Sequence, residues 1–230
     1  MKTIGLLGGM TPESTRVYYD LLIQKARQPG GDPLRNPEIV IFSINLTEVV
    51  RIQRRGAISE AASYLGEILE RLRLAGAEIG ALTANTPHSY LDEIRAATAL
   101  PLVSIVTATR DAARNRGLGR SLLLGTRMTM EAQMYPREFS DAGLEIVVPC
   151  EDDREFLDEV IYGDLAVGVV KPEVRSRVLD ICEKHLKDDL IDSMILGCTE
   201  LPAVCSSDDL SIPALDTTVI HVEAILAAAA

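Results

Sequence analysis

The sequence predicts an α/β protein of two similar lobes, each a parallel sheet flanked by helices, with a cleft between them. Three observations predict it. Short apolar runs alternate with helical patterns, as in parallel strands covered by helices. The alternation restarts near the middle of the 230-residue chain. The restart also carries echoes: IGLLGGMTPEST from Ile4 returns as LLLGTRMTMEAQ from Leu122, and IGALTANTPH from Ile79 returns as MILGCTELP from Met194. The first lobe is set at residues 1–106 and the second at 107–212, with 213–230 returning to the first. The boundary is placed within Thr107–Gly119. The competing reading is one doubly wound domain with a chance echo.

Each element has its own signal. Lys2–Gly8 reads as a buried strand turned by Gly8, Gly9 and Met10. Thr11 then caps a helix, with Pro12 at its first position and Glu13 in its first turn. That helix runs to about Ala26 and gives way to QPGGDPLRNP, a loop by composition. Glu38–Asn45 is the next strand. Ile58–Leu74 has helical periodicity and is stopped by Gly76. Ala77–Asn85 is a strand, Tyr90–Thr98 a helix, and Leu102–Val106 another strand. After the restart, Ser121–Gly125 is a strand, Thr129–Ala142 a helix and Gly143–Pro149 a strand. Glu151–Gly168 and Pro172–Lys187 are helices with acidic starts. Asp192–Gly197 and Ile212–Asp216 are strands, and an Ala-rich helix ends the chain.

Composition narrows the function. The formal net charge of −11 disfavours nonspecific binding to nucleic acid or an anionic membrane. It does not set the charge of a small substrate, because a few local cations reverse the field in a cleft. Tryptophan is absent and aromatics are few, against an aromatic platform for bases or sugars. The amino terminus lacks a signal-peptide pattern and no apolar run reaches 18 residues, so a cytoplasmic protein is expected. Cys150, Cys182, Cys198 and Cys205 have no CxxC spacing, and His88, His185 and His221 form no ligand pattern with them. Neither a structural disulfide nor a metal site is expected. GLLGGM lacks the full G-x-G-x-x-G spacing, and no cofactor is expected.

Chemistry in open α/β folds collects at the carboxyl ends of strands. The apolar run before Gly197 stops at Cys198, Thr199 and Glu200. The earlier run from Ile79 ends instead in Thr83, Ala84, Asn85 and Thr86, without a thiol.

Taken together, MKTIGLLGGMTPEST, ANTPH at Ala84–His88, LLLGTRMTM at Leu122–Met130, LGCTELP at Leu196–Pro202 and PALDTTVIH at Pro213–His221 resemble the cofactor-independent aspartate/glutamate racemase family. The resemblance spans essentially the whole chain. It implies racemisation of an acidic amino acid without pyridoxal phosphate, usually in a homodimer. In typical members a cysteine from each lobe flanks the α-carbon; one removes the proton and the other returns it from the opposite face. The second family cysteine matches Cys198. The first falls at Ala84, and a methyl group cannot exchange a proton. Thr83, one residue earlier, is the candidate substitute, although a regular strand turns it to the opposite side. The family pattern also points to Arg51, in the loop-like VVRIQRRGA, for the side-chain carboxylate, and to Lys171 as the second lobe's basic residue.

The remaining candidates are polar groups at helix starts, where backbone N–H groups bind anions. Met10, Thr11, Asn85, Thr86, Thr126, Thr129 and Thr199 read as ligands for the substrate's amino and carboxyl groups, with plain capping as the alternative. A thiolate base at Cys198 calls for a lowered pKa, which an ionised Glu200 opposes. His88 is read as fixing its turn and His221 as packing at the last helix start. The expected ligand is a small dicarboxylic amino acid; nucleic acid and membrane are not expected partners. Two other readings stay open. One is a one-cysteine decarboxylase or isomerase of a dicarboxylic acid. The other is a dicarboxylate-binding homologue of weak or lost turnover.

Overall fold

The structure, a computed structural model, describes residues 1–27, 34, 36–188 and 190–230. Residues 28–33 and 35 of the expected loop at 28–37 lie outside them. The chain divides into two compact units. The first is Met1–Ser104 with His221–Ala230, and the second is Ile105–Ile220.

The first unit holds a parallel sheet. Strand β1 (Ile4–Gly8) lies between β2 (Ile39–Ser43) and β3 (Ile79–Leu82). Ile4 pairs with Ile39 on one side and Ile79 on the other, and Leu7 stands opposite Leu82. A central parallel strand loses both faces to helices, and β1 is buried throughout. Helix α1 (Pro12–Ala26) follows it, capped by Thr11, whose side chain accepts the Ser14 N–H. Next come α2 (Leu46–Arg54), α3 (Ile58–Leu74) and α4 (Leu91–Ala96). Helix α3 buries Ala61, Leu65, Ile68, Leu69 and Leu72 along one stripe. Each leucine fully removed from water contributes about 1.5–3 kcal/mol.

In the second unit α5 (Ile105–Asn115) leads into β4 (Arg120–Leu124), α6 (Arg127–Glu131), α7 (Met134–Ser140) and β5 (Glu145–Val147). Then come α8 (Glu151–Tyr162), α9 (Pro172–Asp188), β6 (Ser193–Leu196), α10 (Ser207–Leu210) and β7 (Ala214–Asp216). The sheet order is β5-β4-β6-β7, all parallel, with Leu124 opposite Leu196. The last helix, α11 (Thr217–Ala229), starts in the second unit and ends in the first. There Val222, Ile225 and Ala229 join a cluster with Ile4, Leu6 and Tyr18.

Several elements differ from the expectation. VVRIQRRGA is no loop at Arg51 and Arg54: both lie on α2. Asn45 caps that helix by accepting the Thr47 N–H, and Val49 and Ile52 are buried at helical spacing. Leu102–Val106 is not a strand. Leu102 forms a single parallel bridge to Gly80, and Ile105 and Val106 open α5. Short apolar runs read alike in both states, and Ile105, Val106, Thr109 and Ala113 bury at a helix period. The helix expected over Thr129–Ala142 begins at Arg127 and breaks at Ala132, which is extended. Pro136 has no N–H for the Ala132 carbonyl, so it fits only in the first turn of a new helix. The helix expected over Glu151–Gly168 ends at Tyr162, and a short 3-10 turn covers Leu165–Val167. The return to the first unit begins at His221 and not at residue 213, because β7 hydrogen-bonds to β6 in the second sheet.

Candidate functional site

The first unit's strand ends are tied together by threonines. Gly9 has φ +87°, and a Cβ there would sit 2.4 Å from the Ile44 carbonyl, so only glycine fits. The freed Gly9 N–H donates to Thr15 Oγ1 at 2.8 Å, and Thr15 in turn donates to the Thr11 carbonyl at 3.0 Å. With its proton so placed, Thr15 can only accept from Thr83 Oγ1, 3.5 Å away; the Leu7 carbonyl, at 3.4 Å, is the other acceptor for Thr83. Thr83 is fully buried. Its hydroxyl braces β3 against β1 and α1. Thr15, which the sequence reading passed over, is the knot of this arrangement. Its signal was present as the i+4 partner of a capping threonine.

Ala84 is half-buried and Asn85 buried. A 3-10 turn over Thr86–Tyr90 follows, with the Asn85 carbonyl accepting the His88 N–H at 2.9 Å. The His88 ring reaches back and places Nδ1 3.0 Å from the Ala84 carbonyl. A carbonyl only accepts, so Nδ1 carries the proton. Met10 and Thr11 lie half-buried at the start of α1. Arg51 is exposed and pairs with Glu48 at 3.0 Å on its own helix.

The second unit repeats the pattern. Thr126 caps α6 by accepting the Thr129 N–H at 3.3 Å, and the two hydroxyls lie 3.0 Å apart, both buried. At the end of β6 the Gly197 N–H donates to the Leu124 carbonyl at 2.7 Å. A Cβ on Gly197 would meet that oxygen at 2.7 Å, so β4 and β6 close up only with glycine there. Thr217 Oγ1 donates to the Leu196 carbonyl at 2.8 Å and holds the strand end from the other side. Cys198 and Thr199, both half-buried, then donate to one atom: Cys198 Sγ and Thr199 Oγ1 each lie 2.8 Å from Glu200 Oε2. Lys171 is exposed and paired with Asp164 at 2.9 Å, whose hydrogen bond and charge raise its pKa.

Register makes the comparison of the strand ends quantitative. Leu7 faces Leu82 and Leu124 faces Leu196. The Thr83 N–H donates to the Leu7 carbonyl at 3.1 Å as the Gly197 N–H does to the Leu124 carbonyl, so Thr83 corresponds to Gly197 and, one residue on, Ala84 to Cys198. The thiol position of the second unit is therefore a methyl group in the first.

The Cys198 thiol is pushed well above its ordinary pKa. Burial is the leading cause, followed by the charge of Glu200 and its hydrogen bond, against weaker opposition from nearby backbone N–H groups. The resting group is a thiol with its proton directed at a carboxylate, the reverse of the lowered pKa expected from the sequence. Replacing Glu200 with Gln keeps an acceptor and removes the charge. The thiol pKa should fall, so half-maximal iodoacetamide alkylation should shift at least one unit to lower pH. An unchanged profile would show that Glu200 does not hold the proton on sulfur.

The other cysteines are free. Cys150 is exposed, and Cys182 and Cys205 are buried with sulfurs 3.9 Å apart. Among the described residues, no group of three or more His, Cys, Asp or Glu stands ready for a metal, and no helix is long and apolar enough to cross a membrane.

Two buried histidines lie in the first unit. His221 Nε2 is 3.0 Å from the Val103 carbonyl and therefore carries its proton, leaving Nδ1 to accept from Tyr18 Oη at 2.9 Å. Burial lowers His88 to a pKa of about 3 and His221 to about 4. Above pH 6.5 both rings are neutral whether folded or not, and no penalty exists. As pH falls from 6.5 towards 4, the unfolded chain takes up protons that the folded chain refuses. Stability then drops by about 1.4 kcal/mol per pH unit per histidine. Urea midpoints should accordingly fall between pH 7 and pH 5, before most carboxylates titrate. A midpoint flat over that range would contradict the neutral pair.

The Asp/Glu/Hydantoin racemase family matches residues 7–225. The chain belongs to that family. A candidate Asp/Glu racemase from Yersinia pestis has a crystal structure that superposes with a TM-score of 0.90 at 36% identity, covering 100% of this chain and 99% of that one. An aspartate racemase homologue from Pyrococcus horikoshii OT3 superposes at 0.81, also with 36% identity, covering 100% and 99%. A broad specificity amino-acid racemase, RacX, of Bacillus subtilis is 23% identical over 224 residues, 94% of this chain and 92% of that protein. The two-lobe α/β architecture with parallel sheets flanked by helices is thus that of the racemase family, and the chain is an isomerase-type protein of that superfamily.

Proposed function

We propose that this racemase-family protein moves the α-proton of an acidic amino acid, aspartate or glutamate, without a cofactor, with Cys198 as the proton carrier. The observation that carries the reading is Cys198 Sγ donating to Glu200 Oε2 at the carboxyl end of β6. For abstraction, the thiol proton passes to Glu200 and the sulfur takes the α-proton; for the return, sulfur gives it back to the carbanion and Glu200 returns the other. A carbanion next to a carboxylate survives only if donors hold that carboxylate as charge builds. Thr11, Asn85, Thr86 and Thr126 supply those donors, joined by the backbone N–H groups of Met10 and Thr199, because the Thr199 hydroxyl is given to Glu200 Oε2; buried Thr129 acts through Thr126. Arg51 and Lys171 bind the second carboxylate, Arg by a bidentate fork and Lys by a point charge. Their ion pairs, with Glu48 and Asp164, are exposed and cost little to exchange for a substrate. The protein acts as a cytoplasmic homodimer in this reading.

The test is incubation with each enantiomer of aspartate and glutamate in heavy water, followed by NMR and chiral chromatography. Deuterium at the α-carbon supports the reading, and none at any pH between 6 and 10 overturns it. Ala84 favours one alternative specifically. A lone thiol suffices to protonate the enolate left by decarboxylation of a malonate-like diacid. Release of carbon dioxide from such diacids, with no α-exchange of aspartate or glutamate, would establish that chemistry instead.

A further inference from the structure

The two buried histidines of the first unit are absorbed by neither half of the proton chemistry. Both are neutral, both are sealed from solvent, and their rings meet edge to face at 5.9 Å. One end of the arrangement is fixed: His221 is held by Tyr18 on α1 and by the Val103 carbonyl. The other end is His88 Nδ1 on the Ala84 carbonyl. The second unit fixes its strand end differently, through Thr217 Oγ1 on the Leu196 carbonyl.

We propose that His88 is a positioning residue: its Nδ1–H, backed by the His221 ring, orients the Ala84–Asn85 peptide so that the strand-end backbone meets the substrate's carboxylate. The inference rests on the proposed function for what is bound, but not for how the loop is held. The geometry supports it directly. A peptide plane is rigid, so a donor fixed on the Ala84 carbonyl also fixes the direction of the Asn85 N–H, which lies in the same plane and points the opposite way. The same histidine's N–H is bonded to the Asn85 carbonyl, which fixes the next plane as well. One residue thus sets two consecutive peptides. Where position Ala84 has no side chain to offer, the backbone is what that strand end presents.

Two variants separate donor from volume. His88→Asn keeps an N–H near the place of Nδ1 but loses half the ring. His88→Leu keeps most of the volume but loses the donor. If His88 only fills space, Asn is the worse variant for every property. If it positions the loop, the two properties dissociate. Asn should lower Tm more than Leu does, yet Leu should raise KM for aspartate or glutamate by about tenfold or more with kcat changed less than threefold. Asn should restore KM to within threefold of wild type. Hydrogen exchange of the residue-88 amide, held on the Asn85 carbonyl at 2.9 Å, provides a readout that needs no turnover: faster by at least tenfold in His88→Leu, near wild type in His88→Asn. Wild-type KM and wild-type amide protection in folded His88→Leu would overturn the proposal. Should His88→Leu not fold, KM and protection in His88→Asn decide it, since a positioning role predicts near wild-type values there and a space-filling role predicts losses in both. A wild-type protein that exchanges no acidic amino acid defeats the proposed function alone, and the amide exchange then decides the positioning role.

Discussion

Replacing Cys198 with serine should lower α-proton exchange by about 10²–10⁴-fold, the range supplied by one positioned acid or base. Serine keeps the shape and the hydrogen bond to Glu200 Oε2, so dicarboxylate binding by calorimetry should change by less than threefold. The loss arises because an alcohol is far harder to ionise than a thiol, and the site already resists ionisation through burial and Glu200. The control is Cys150→Ser, at an exposed position, which should retain full exchange. Cys182 and Cys205 pack in the second unit's core, so their alanine variants should lose stability through the cavity and not the chemistry. Full exchange in Cys198→Ser would remove the thiol from the mechanism.

The sequence made the skeleton legible because its signals were local and agreed with one another. Thr11-Pro12-Glu13 states a helix start, and α1 begins there. The bounds of α3, Ile58–Leu74, follow from its period and from Gly76. Illegible features depended on distant partners. Helix α2 was hidden by β-branched residues whose burial against the first unit's core outweighs their weak helix preference. The break at Ala132 was written in Pro136 but read as a continuous period. Residue identity at the candidate site was legible, since Cys198 and Ala84 could be named from the motif. Its electrostatics were not: nothing local says that the Glu200 side chain folds back onto the sulfur two residues earlier. Likewise nothing local says that the Thr83 hydroxyl meets Thr15 and the Leu7 carbonyl in the interior.

Ala84→Cys should turn exchange with retention into racemisation. In the proposed reading, Cys198 serves one face of the α-carbon and position 84 the other. Wild type then handles one enantiomer well. Cys198 removes its proton, the thiol equilibrates with heavy water through Glu200, and deuterium returns to the same face. That enantiomer should gain deuterium without inverting, while the other, its proton directed at a methyl group, should exchange at least about tenfold more slowly. A second thiol at position 84 supplies the missing donor, by the register that makes Ala84 the counterpart of Cys198. Inversion should rise about 10- to 100-fold, within the contribution of a single acid–base group, provided the added sulfur fits without overpacking. Retained and inverted products must be counted separately, because the equilibrium constant between enantiomers is one and net racemisation has equal kcat/KM in both directions. Thr83→Val is the companion variant. Its hydroxyl is buried against Leu7 and Thr15, so it should lower stability by about 1 kcal/mol through a lost hydrogen bond and leave the ratio of retention to inversion unchanged. Equal deuterium wash-in for both enantiomers in wild type, or a ratio that collapses in Thr83→Val, would mean that another group already serves the second face.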